Sequence, residues 1–377
     1  MSRPLRDLPA RADLLIPALA AALDGAGPAV GVGVGDEPVE VPDDVALVVR
    51  TSGSTGEPRR VLLSASALRA SAQATADRLD GPGSWLLALP TQHIAGLQVL
   101  VRSVLAGTEP VVVPDGPFRP PRFVQAVATM AAGPRYTSLV PTQLARLLDD
   151  AEGTDALRTF DAVLVGGAAT GPELLDRARL ARVVVVTTYG MSETCGGCVY
   201  DGVPLDGVSV RIGDDGRIML AGPVLATGYT TGAEDSFVHL EGTRWLRTSD
   251  LGSWDGTRLT VLGRSDDVLV SGGTKVSPQA VEAVLEPLGE VVVVGIADDE
   301  WGQVVVALVV PRPGTVPTLE QARAAVTDRL GAAHAPRHLV VTGSLPLRGP
   351  GKIDRRAATQ LADDLLARAN PTGRNDT

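Results

Sequence analysis

Thr51-Ser-Gly-Ser-Thr-Gly-Glu-Pro-Arg59 follows directly on an apolar, β-branched run over residues 45–50. Such a run predicts a buried strand. The loop after it offers four hydroxyl groups and two glycines, and hydroxyl and backbone N–H groups in a tight loop can donate hydrogen bonds to a polyphosphate. Its spacing differs from the common Gly-x4-Gly-Lys-Ser/Thr phosphate loop. Because it joins a buried strand to a segment that we expect to return as a helix, we interpret it as a phosphate site and not as a linker.

Beyond this loop, short β-branched runs alternate with helical periodicity as far as Thr187, which predicts a layered α/β core. The predicted strands are 45–50, 85–89, 110–113, 136–140, 162–165 and 183–187. The predicted helices are 65–79, 97–106, 122–131, 141–148 and 172–179. Ahead of the loop we expect an amphipathic helix over 14–23 and a loop or edge strand over 25–35.

The pattern changes twice towards the C-terminus. Short strands at 208–212, 217–220, 242–247 and 259–262 predict a β-rich subdomain. Helices at 278–285 and 319–330, with strands at 291–296, 304–310 and 338–341, then predict a small α+β domain. We therefore predict an α/β protein with a large N-terminal domain over 1–265, a smaller mobile C-terminal domain over 266–369 and a disordered tail over 370–377.

Composition excludes several classes of function. The chain has 377 residues and a formal net charge of −10, which argues against nucleic acid as the main partner. Its 2 cysteines rule out a disulfide-built scaffold. No apolar run approaches the roughly 20 residues of a membrane-spanning helix. We expect a cytoplasmic protein.

Lysine is rare in this chain. Arginine supplies 32 of the 34 basic residues, and the two lysines are Lys275 and Lys352. A lysine that persists in such a composition is a candidate for a role that needs a compact, flexible ammonium, which a planar guanidinium cannot imitate.

The loop at 51–59 resembles the phosphate loop of the adenylate-forming superfamily, which comprises acyl- and aryl-CoA synthetases, peptide-synthetase adenylation domains and luciferases. Four more stretches resemble motifs of that superfamily, in the same order. They are Thr187-Thr-Tyr-Gly-Met-Ser-Glu-Thr194, Trp245-Leu-Arg-Thr-Ser-Asp250, Gly263-Arg-Ser-Asp-Asp-Val-Leu-Val-Ser-Gly-Gly-Thr-Lys-Val276 and Pro350-Gly-Lys-Ile-Asp354. One such match would be weak, but five in register over about four fifths of the chain are specific.

The resemblance implies an enzyme that uses ATP, Mg²⁺ and CoA. Tyr189 would stack on adenine, Asp250 would accept hydrogen bonds from both ribose hydroxyls, and Glu193 would hold Mg²⁺. A carboxylate suits a diol because it can accept two hydrogen bonds. The implied ATP-binding residues are Thr51, Ser52, Gly53, Ser54, Thr55, Gly56, Gly167, Ala168, Thr188, Tyr189, Gly190, Ser192, Asp250 and Arg264.

The resemblance also implies a reaction in two steps. Lys352 would neutralise charge while the acid attacks the α-phosphorus of ATP. The C-terminal domain would then rotate about a hinge at Asp266, withdraw Lys352 and present Gly272 and Gly273 to the CoA channel.

The acid is suggested by Leu89-Pro-Thr-Gln-His-Ile-Ala-Gly96, which resembles the histidine motif of the acyl pocket. Together with Ser138-Leu-Val-Pro-Thr-Gln-Leu144 and Leu164-Val-Gly-Gly-Ala-Ala169, it most resembles the compact ligases that activate o-succinylbenzoate in menaquinone biosynthesis. His93, Gly166 and Gly167 would line the pocket. Because that acid is a dianion, a cation should hold the carboxylate that does not react, and Arg102 is the candidate.

Two departures from the superfamily pattern stand out. Arg59 replaces the lysine that is common at the end of the phosphate loop, and only about 50 residues precede that loop. We therefore expect the usual first subdomain to be shortened. Cys195-Gly-Gly-Cys198 has the spacing of half a zinc site, but no second pair accompanies it, so we predict packing residues.

Three alternatives stay open: another aryl- or acyl-CoA ligase for a monoanionic acid, a stand-alone adenylation enzyme that loads a carrier protein, and a non-catalytic binding relative. Retention of Glu193, Asp250, Arg264 and Lys352 argues against the third. The expected partners are small molecules (an aryl acid, ATP and CoA), and assembly into a homodimer is a further expectation.

Overall fold

The computed structural model describes residues 1–35, 40–51, 59–230, 236–312, 314–348 and 352–369. The chain divides into two compact units. One comprises Met1–Thr170, Leu174–Thr248 and Ser253–Thr260, and the other comprises Gly171–Glu173, Ser249–Gly252 and the chain from Val261 onward. The fold is mixed α/β, as predicted.

Strands and helices are named in chain order. The strands of the first half are β1 (Ser2–Leu8), β2 (Ala29–Val32), β3 (Glu40–Pro42), β4 (Val45–Thr51), β5 (Arg59–Ser64), β6 (Ser84–Leu87), β7 (Val111–Val112), β8 (Arg135–Leu139), β9 (Ala162–Val165), β10 (Val185–Met191) and β11 (Gly196–Tyr200). Those of the second half are β12 (Val203–Pro204), β13 (Ser209–Ile212), β14 (Arg217–Ala221), β15 (Gly228–Tyr229), β16 (Phe237–Leu240), β17 (Thr243–Trp254), β18 (Leu259–Arg264), β19 (Leu269–Ser271), β20 (Thr274–Val276), β21 (Gly289–Asp298), β22 (Gly302–Pro311), β23 (His338–Val341), β24 (Leu347–Arg348) and β25 (Lys352–Ile353). The helices are α1 (Ala12–Leu23), α2 (Ala65–Arg78), α3 (Ile94–Ala106), α4 (Pro120–Val127), α5 (Pro141–Leu148), α6 (Ala151–Leu157), α7 (Pro172–Leu180), α8 (Pro278–Leu285), α9 (Leu319–Leu330) and α10 (Arg355–Ala369).

Two large sheets form the core of the first unit. One has the order β15-β5-β4-β2-β1-β3, and the other has the order β12-β11-β10-β9-β8-β6-β7. Strands β6, β8, β9 and β10 of the second sheet run parallel, so their carboxyl ends meet at one edge. Helices α1, α2 and α3 contribute fully buried side chains to the main core, among them Leu15, Leu68 and Leu100.

The β-rich texture after Tyr200 forms a third sheet, in the order β13-β14-β17-β16, with β18 paired to β17. The second unit is built on β20-β19-β22-β21, with β23 paired to β22. Its α8 begins where the Ser277 side chain accepts the N–H of Ala280, and its α9 begins at a Thr318–Gln321 capping box. Such caps satisfy N–H groups that have no partner inside the helix.

The helical predictions fare better than the strand predictions. The helices at 141–148, 278–285 and 319–330 are confirmed with the same bounds, as are the strands at 162–165 and 338–341. The loop at 51–59, however, does not lead straight into a helix, because β5 pairs antiparallel with β4 before α2 begins.

The N-terminal expectation was wrong in one respect. The segment 25–35 contains β2, whose four residues are all buried and which lies between β1 and β4. It is therefore an interior strand and not a loop or an edge. Neither β1 nor α6 was predicted, whereas the amphipathic helix expected over 14–23 is confirmed as α1. No helix in the described ranges is long and apolar enough to cross a membrane.

Candidate active site

The first part of the candidate site lies at the carboxyl ends of β9 and β10. These strands are parallel, with Thr187 opposite Val165, so the loop Gly166–Ala168 and the pair Thr188–Tyr189 emerge side by side. Ligands of parallel α/β sheets bind at this edge. The structure thus brings together the predicted loop of the acyl pocket and the predicted adenine motif.

Close backbone approach explains two glycines at this edge. A side chain at Gly190 would collide with the carbonyl of Gly196 on β11, and one at Gly166 would collide with the Thr188 hydroxyl. The ring of Tyr189 packs against the cluster that contains Cys198 and Val199. A half-buried ring held in this way can serve as a stacking face for a base.

Glu193 lies just beyond β10, in the short 3₁₀ turn Ser192–Thr194. Its backbone carbonyl accepts the N–H of Ala226 at 2.8 Å, and its carboxylate Oε1 accepts the hydroxyl of Tyr229 at 2.9 Å. Burial, followed by the charge of Glu193, raises the pKa of Tyr229. The phenol is therefore protonated and donates.

The residues present fit Mg²⁺. The described part of the chain contains no group of three or more His, Cys, Asp or Glu side chains that could hold a metal alone. Mg²⁺ at a nucleotide site, however, typically takes one or two carboxylates together with substrate phosphates. The half-buried carboxylate of Glu193 supplies a donor of that kind.

Thr51 ends β4, and its hydroxyl donates to the carbonyl of Arg59 at 3.3 Å across the β4–β5 hairpin. The predicted phosphate-binding residues Ser52, Gly53, Ser54, Thr55 and Gly56 lie outside the described residues. The guanidinium of Arg59 lies 5.7 Å from the centre of the Tyr229 ring. The base of the loop is thus next to the residue that contacts Glu193.

His93 and Arg102 lie on α3 but in different surroundings. His93 is the N-cap of the helix and is exposed. Arg102 is only 7% exposed. Its Nη2 donates to the Tyr200 hydroxyl at 3.3 Å, and its guanidinium lies 4.9 Å from the Trp85 ring centre.

Arg102 is a buried cation, and no ion pair joins it to a carboxylate in the described ranges. Its Nε has no hydrogen-bond partner there, and neither has Oε1 of Gln98 one turn earlier on α3. Arg102 contacts the hydroxyl of Tyr200. Tyr200 pairs with Thr188 across β10 and β11, and the hydroxyl of Thr188 lies next to Gly166. Two residues, Tyr200 and Thr188, therefore connect Arg102 with the predicted pocket residue Gly166.

Asp250 and Arg264 come together in the second unit. Arg264 Nη1 lies 3.7 Å from Asp250 Oδ1, and Arg264 Nη2 lies 3.2 Å from Asp266 Oδ2. Asp266 is the middle residue of the 3₁₀ turn Ser265–Asp267. One guanidinium thus contacts both the predicted ribose ligand and the predicted hinge residue.

Gly272 and Gly273 form the turn between β19 and β20, with φ of +55° and +79°. Two consecutive positive φ values are typical of a tight hairpin and favour glycine. Lys352 begins β25, where it pairs with Arg348 of β24. Its side chain lies outside the described part.

Cys195 and Cys198 are both fully buried, as predicted for packing residues. Burial raises the pKa of each thiol, that of Cys198 to about 12. Neither is set up to act as a thiolate.

Tyr229 is the residue that the sequence did not indicate. It lies 36 positions from Glu193 and reaches it because β15 pairs with β5, with Tyr229 opposite Val61. The tyrosine of Gly228-Tyr229 carries no spacing signal of its own, so only the sheet topology reveals the contact.

Comparison with known proteins covers both units. The family described as AMP-binding enzyme matches residues 9–230, and the AMP-binding enzyme C-terminal domain matches residues 281–352. A protein of Mycobacterium tuberculosis named probable 2-succinylbenzoate–CoA ligase is 49% identical, over 91% of this chain and 94% of its own length. The 2-succinylbenzoate–CoA ligase of Listeria monocytogenes is 33% identical, over 82% of this chain and 68% of its own.

A solved structure of a protein with a related name has a similar fold. The o-succinylbenzoate–CoA synthetase of Bacillus subtilis, in complex with its acyl-adenylate intermediate, superposes with a TM-score of 0.72 at 26% identity. The match covers 91% of this chain and 80% of that one.

Proposed function

Because this chain belongs to the AMP-binding enzyme family, we propose that it is an ATP-dependent acid–thiol ligase acting on o-succinylbenzoate. In the first step, the succinyl carboxylate attacks the α-phosphorus of ATP, and pyrophosphate leaves. In the second step, the CoA thiol attacks the acyl carbonyl of the adenylate, the thiol proton is lost and AMP leaves. The products are o-succinylbenzoyl-CoA, AMP and pyrophosphate.

The observation that carries this proposal is the 49% identity to a ligase named for the same acid, extending over 91% of this chain. That span includes the residues of the predicted acid pocket as well as those of the nucleotide site. A likeness restricted to nucleotide motifs would indicate adenylation and leave the acid open.

We assign the roles in the first step in accordance with the family resemblance. Tyr189 faces adenine, Asp250 with Arg264 holds the ribose, and Glu193 holds Mg²⁺, which neutralises phosphate charge when bound. Preorganised charges of this kind stabilise the transition state of phosphoryl and nucleotidyl transfer. Lys352 serves this step as the cation on the α-phosphate.

The second step uses a different set. We assign Gly272 and Gly273 to the CoA channel and Asp266 to the hinge, in accordance with the family resemblance. We also propose that the reaction takes place in the cytoplasm.

The acid is recognised by His93, Gly166 and Gly167 at the pocket and by Arg102. Arg102 has no carboxylate partner in the described ranges, so its positive charge is available to a second negative charge on the substrate. Since Tyr200 and Thr188 link it to Gly166, we propose that Arg102 acts through its field, across Tyr200, and not by direct contact.

Incubation of the purified protein with ATP, Mg²⁺, CoA and a panel of acids tests the proposal, with AMP and thioester measured by mass spectrometry. We expect o-succinylbenzoyl-CoA to form, and an analogue without the aromatic carboxylate to react much more slowly. Turnover of benzoate or fatty acids but not of o-succinylbenzoate would refute the substrate while leaving the reaction class. Adenylate formation without transfer to CoA would instead favour a carrier-loading enzyme.

A further inference from the structure

We infer that Tyr229 is the residue that positions Glu193 for Mg²⁺. The inference rests on the proposed function, because it takes Glu193 to be the magnesium ligand. It adds a residue outside the sequence motifs. Tyr229 would act through Glu193 and so is a positioning residue.

The first step of the argument is the hydrogen bond itself. The Tyr229 hydroxyl donates to Oε1 of Glu193 at 2.9 Å. This contact occupies one carboxylate oxygen and leaves Oε2 for another partner. A carboxylate that ligates a metal is typically held by such an outer hydrogen bond, and loss of that bond weakens metal affinity.

The second step is that both ends of this hydrogen bond are held by backbone contacts. Tyr229 is fixed by the pairing of β15 with β5, which continues in the N–H of Thr230 donating to the carbonyl of Arg60 at 3.1 Å. Glu193 is fixed by the N–H of Ala226. The segment 226–230 therefore holds Glu193 through its backbone at one end and through Tyr229 at the other.

The third step concerns the ring of Tyr229. Arg59 lies over it at 5.7 Å, and Phe237 packs against it with ring centres 5.8 Å apart. Arg244 in turn lies 4.0 Å from the centre of Phe237. These contacts favour the observed orientation of the Tyr229 ring, in which its hydroxyl reaches Glu193.

The position of this assembly relates it to phosphate binding. Arg59 is the last residue of the predicted phosphate loop at 51–59, and its antiparallel partner on β4 is Thr51. Tyr229 is therefore in contact with the predicted metal ligand on one side and with the end of the predicted phosphate loop on the other.

The test is Tyr229→Phe, which removes the hydroxyl but keeps the ring for Arg59 and Phe237. ATP affinity, without acid, is measured by titration calorimetry with and without Mg²⁺. We expect the Kd of ATP in the presence of Mg²⁺ to rise about 10-fold, the lower end of the effect of removing an outer hydrogen bond from a metal ligand. The Kd of metal-free ATP should stay within about twofold of wild type, because the nucleotide keeps its other contacts.

Tyr136→Phe is the matched control. Tyr136 is also buried and also donates its hydroxyl, to the carbonyl of Leu79 at 2.7 Å, far along the chain from Glu193. It should leave both affinities unchanged. Equal effects of the two substitutions, or an equal loss of metal-free ATP binding in Tyr229→Phe, would overturn the inference.

Glu193→Gln separates failure of this inference from failure of the proposed site. If Glu193→Gln abolishes the effect of Mg²⁺ on ATP affinity while Tyr229→Phe changes nothing, the assignment of the metal site is supported and the role of Tyr229 is refuted. If it leaves the Mg²⁺ effect intact, the metal ligand itself is wrong. We expect the double variant to bind ATP in the presence of Mg²⁺ as tightly as Glu193→Gln alone, because Tyr229 acts through the Glu193 carboxylate.

Discussion

At the scale of single residues, Arg102 poses an energetic question. A buried charge is costly unless it is paired, yet the described part of the chain offers Arg102 a hydroxyl and an aromatic ring instead of a carboxylate. Both contacts are favourable, but its Nε is left without a partner. A substrate with a second negative charge would offset part of that cost, which is why this residue is assigned to recognition of the acid.

Arg102→Met tests that assignment, because methionine keeps an unbranched apolar chain and removes the charge. At an effective dielectric constant of about 20, two unit charges roughly 8 to 15 Å apart interact by about 1–2 kcal/mol. We therefore expect kcat/KM for o-succinylbenzoate to fall roughly 10-fold, with little change for the analogue that lacks the aromatic carboxylate.

Arg102→Lys distinguishes a field effect of Arg102 from a direct bidentate contact. An ammonium keeps the charge but cannot grip two oxygens, so a field effect should survive in this variant and a bidentate contact should not. ATP affinity is the internal control and should not change. Equal losses for both acids in Arg102→Met would make Arg102 a purely structural residue.

At the scale of elements, the start of α10 is tied to two other segments by Arg355. This guanidinium binds Glu282 of α8 at 2.6 Å and Asp267 of the 3₁₀ turn at 3.1 Å. It also donates to the Val293 carbonyl of β21 at 2.9 Å. Arg355 follows Lys352 by three residues, so these contacts hold the chain at a point close to Lys352 in sequence.

Arg355→Met should destabilise the second unit, because removal of one partner strands two carboxylates in a largely buried site. The expected loss of unfolding free energy is about 3 kcal/mol, measured by urea denaturation followed by circular dichroism. Arg356→Met is the matched control, since Arg356 is the exposed neighbour. If both variants unfold at the same urea concentration, the contacts of Arg355 do not stabilise the second unit.

The elements also show what a sequence can reveal. Helices with a clear apolar stripe, such as α3 and α9, were predictable because periodicity is a local property. Strand β5 was not, because Arg59–Ser64 begins with two arginines and becomes a strand by pairing with β4. The interior place of β2 likewise depends on its two neighbours, and Gly31 within it weakens any local strand signal.

The candidate site divides in the same way. Glu193, Tyr189 and Asp250 lie in motifs of contiguous residues and could be proposed from the sequence. Tyr229 could not be proposed in this way, because its role depends on a hydrogen bond to a residue 36 positions away in the sequence. The burial of Arg102 was also hidden, since the spacing of Gln98 and Arg102 places both on one flank of α3 without showing that α2, β6 and β11 cover that flank.

At the scale of the whole molecule, each compact unit carries part of the proposed machinery. The adenine, acid and metal residues lie in the first unit, whereas Asp250, Arg264, Asp266, the Gly272–Gly273 turn and Lys352 lie in the second. This division predicts that substitutions in the second unit can separate the two half-reactions.

Lys352→Ala should impair adenylation alone. Removal of one group that stabilises transition-state charge costs roughly 10² in rate, so we expect pyrophosphate release to fall by about that factor. Conversion of supplied acyl-adenylate to the thioester should continue at the wild-type rate. Arg356→Ala, at an exposed residue with no assigned role, is the control and should leave adenylation unchanged.

Asp266→Pro should have the opposite effect. Proline locks φ near −65°, a value within the range of a 3₁₀ turn. The 3₁₀ turn Ser265–Asp267 can therefore accept it, whereas a hinge that must change its backbone angles cannot. We expect acyl-adenylate and pyrophosphate to form normally and thioester formation to fail.

Asp266→Ala removes the same contact with Arg264 but leaves the backbone free, so it should retain both half-reactions. If the proline variant turns over like the alanine variant, the backbone of Asp266 is not the pivot, and the separation of steps must arise elsewhere in the second unit.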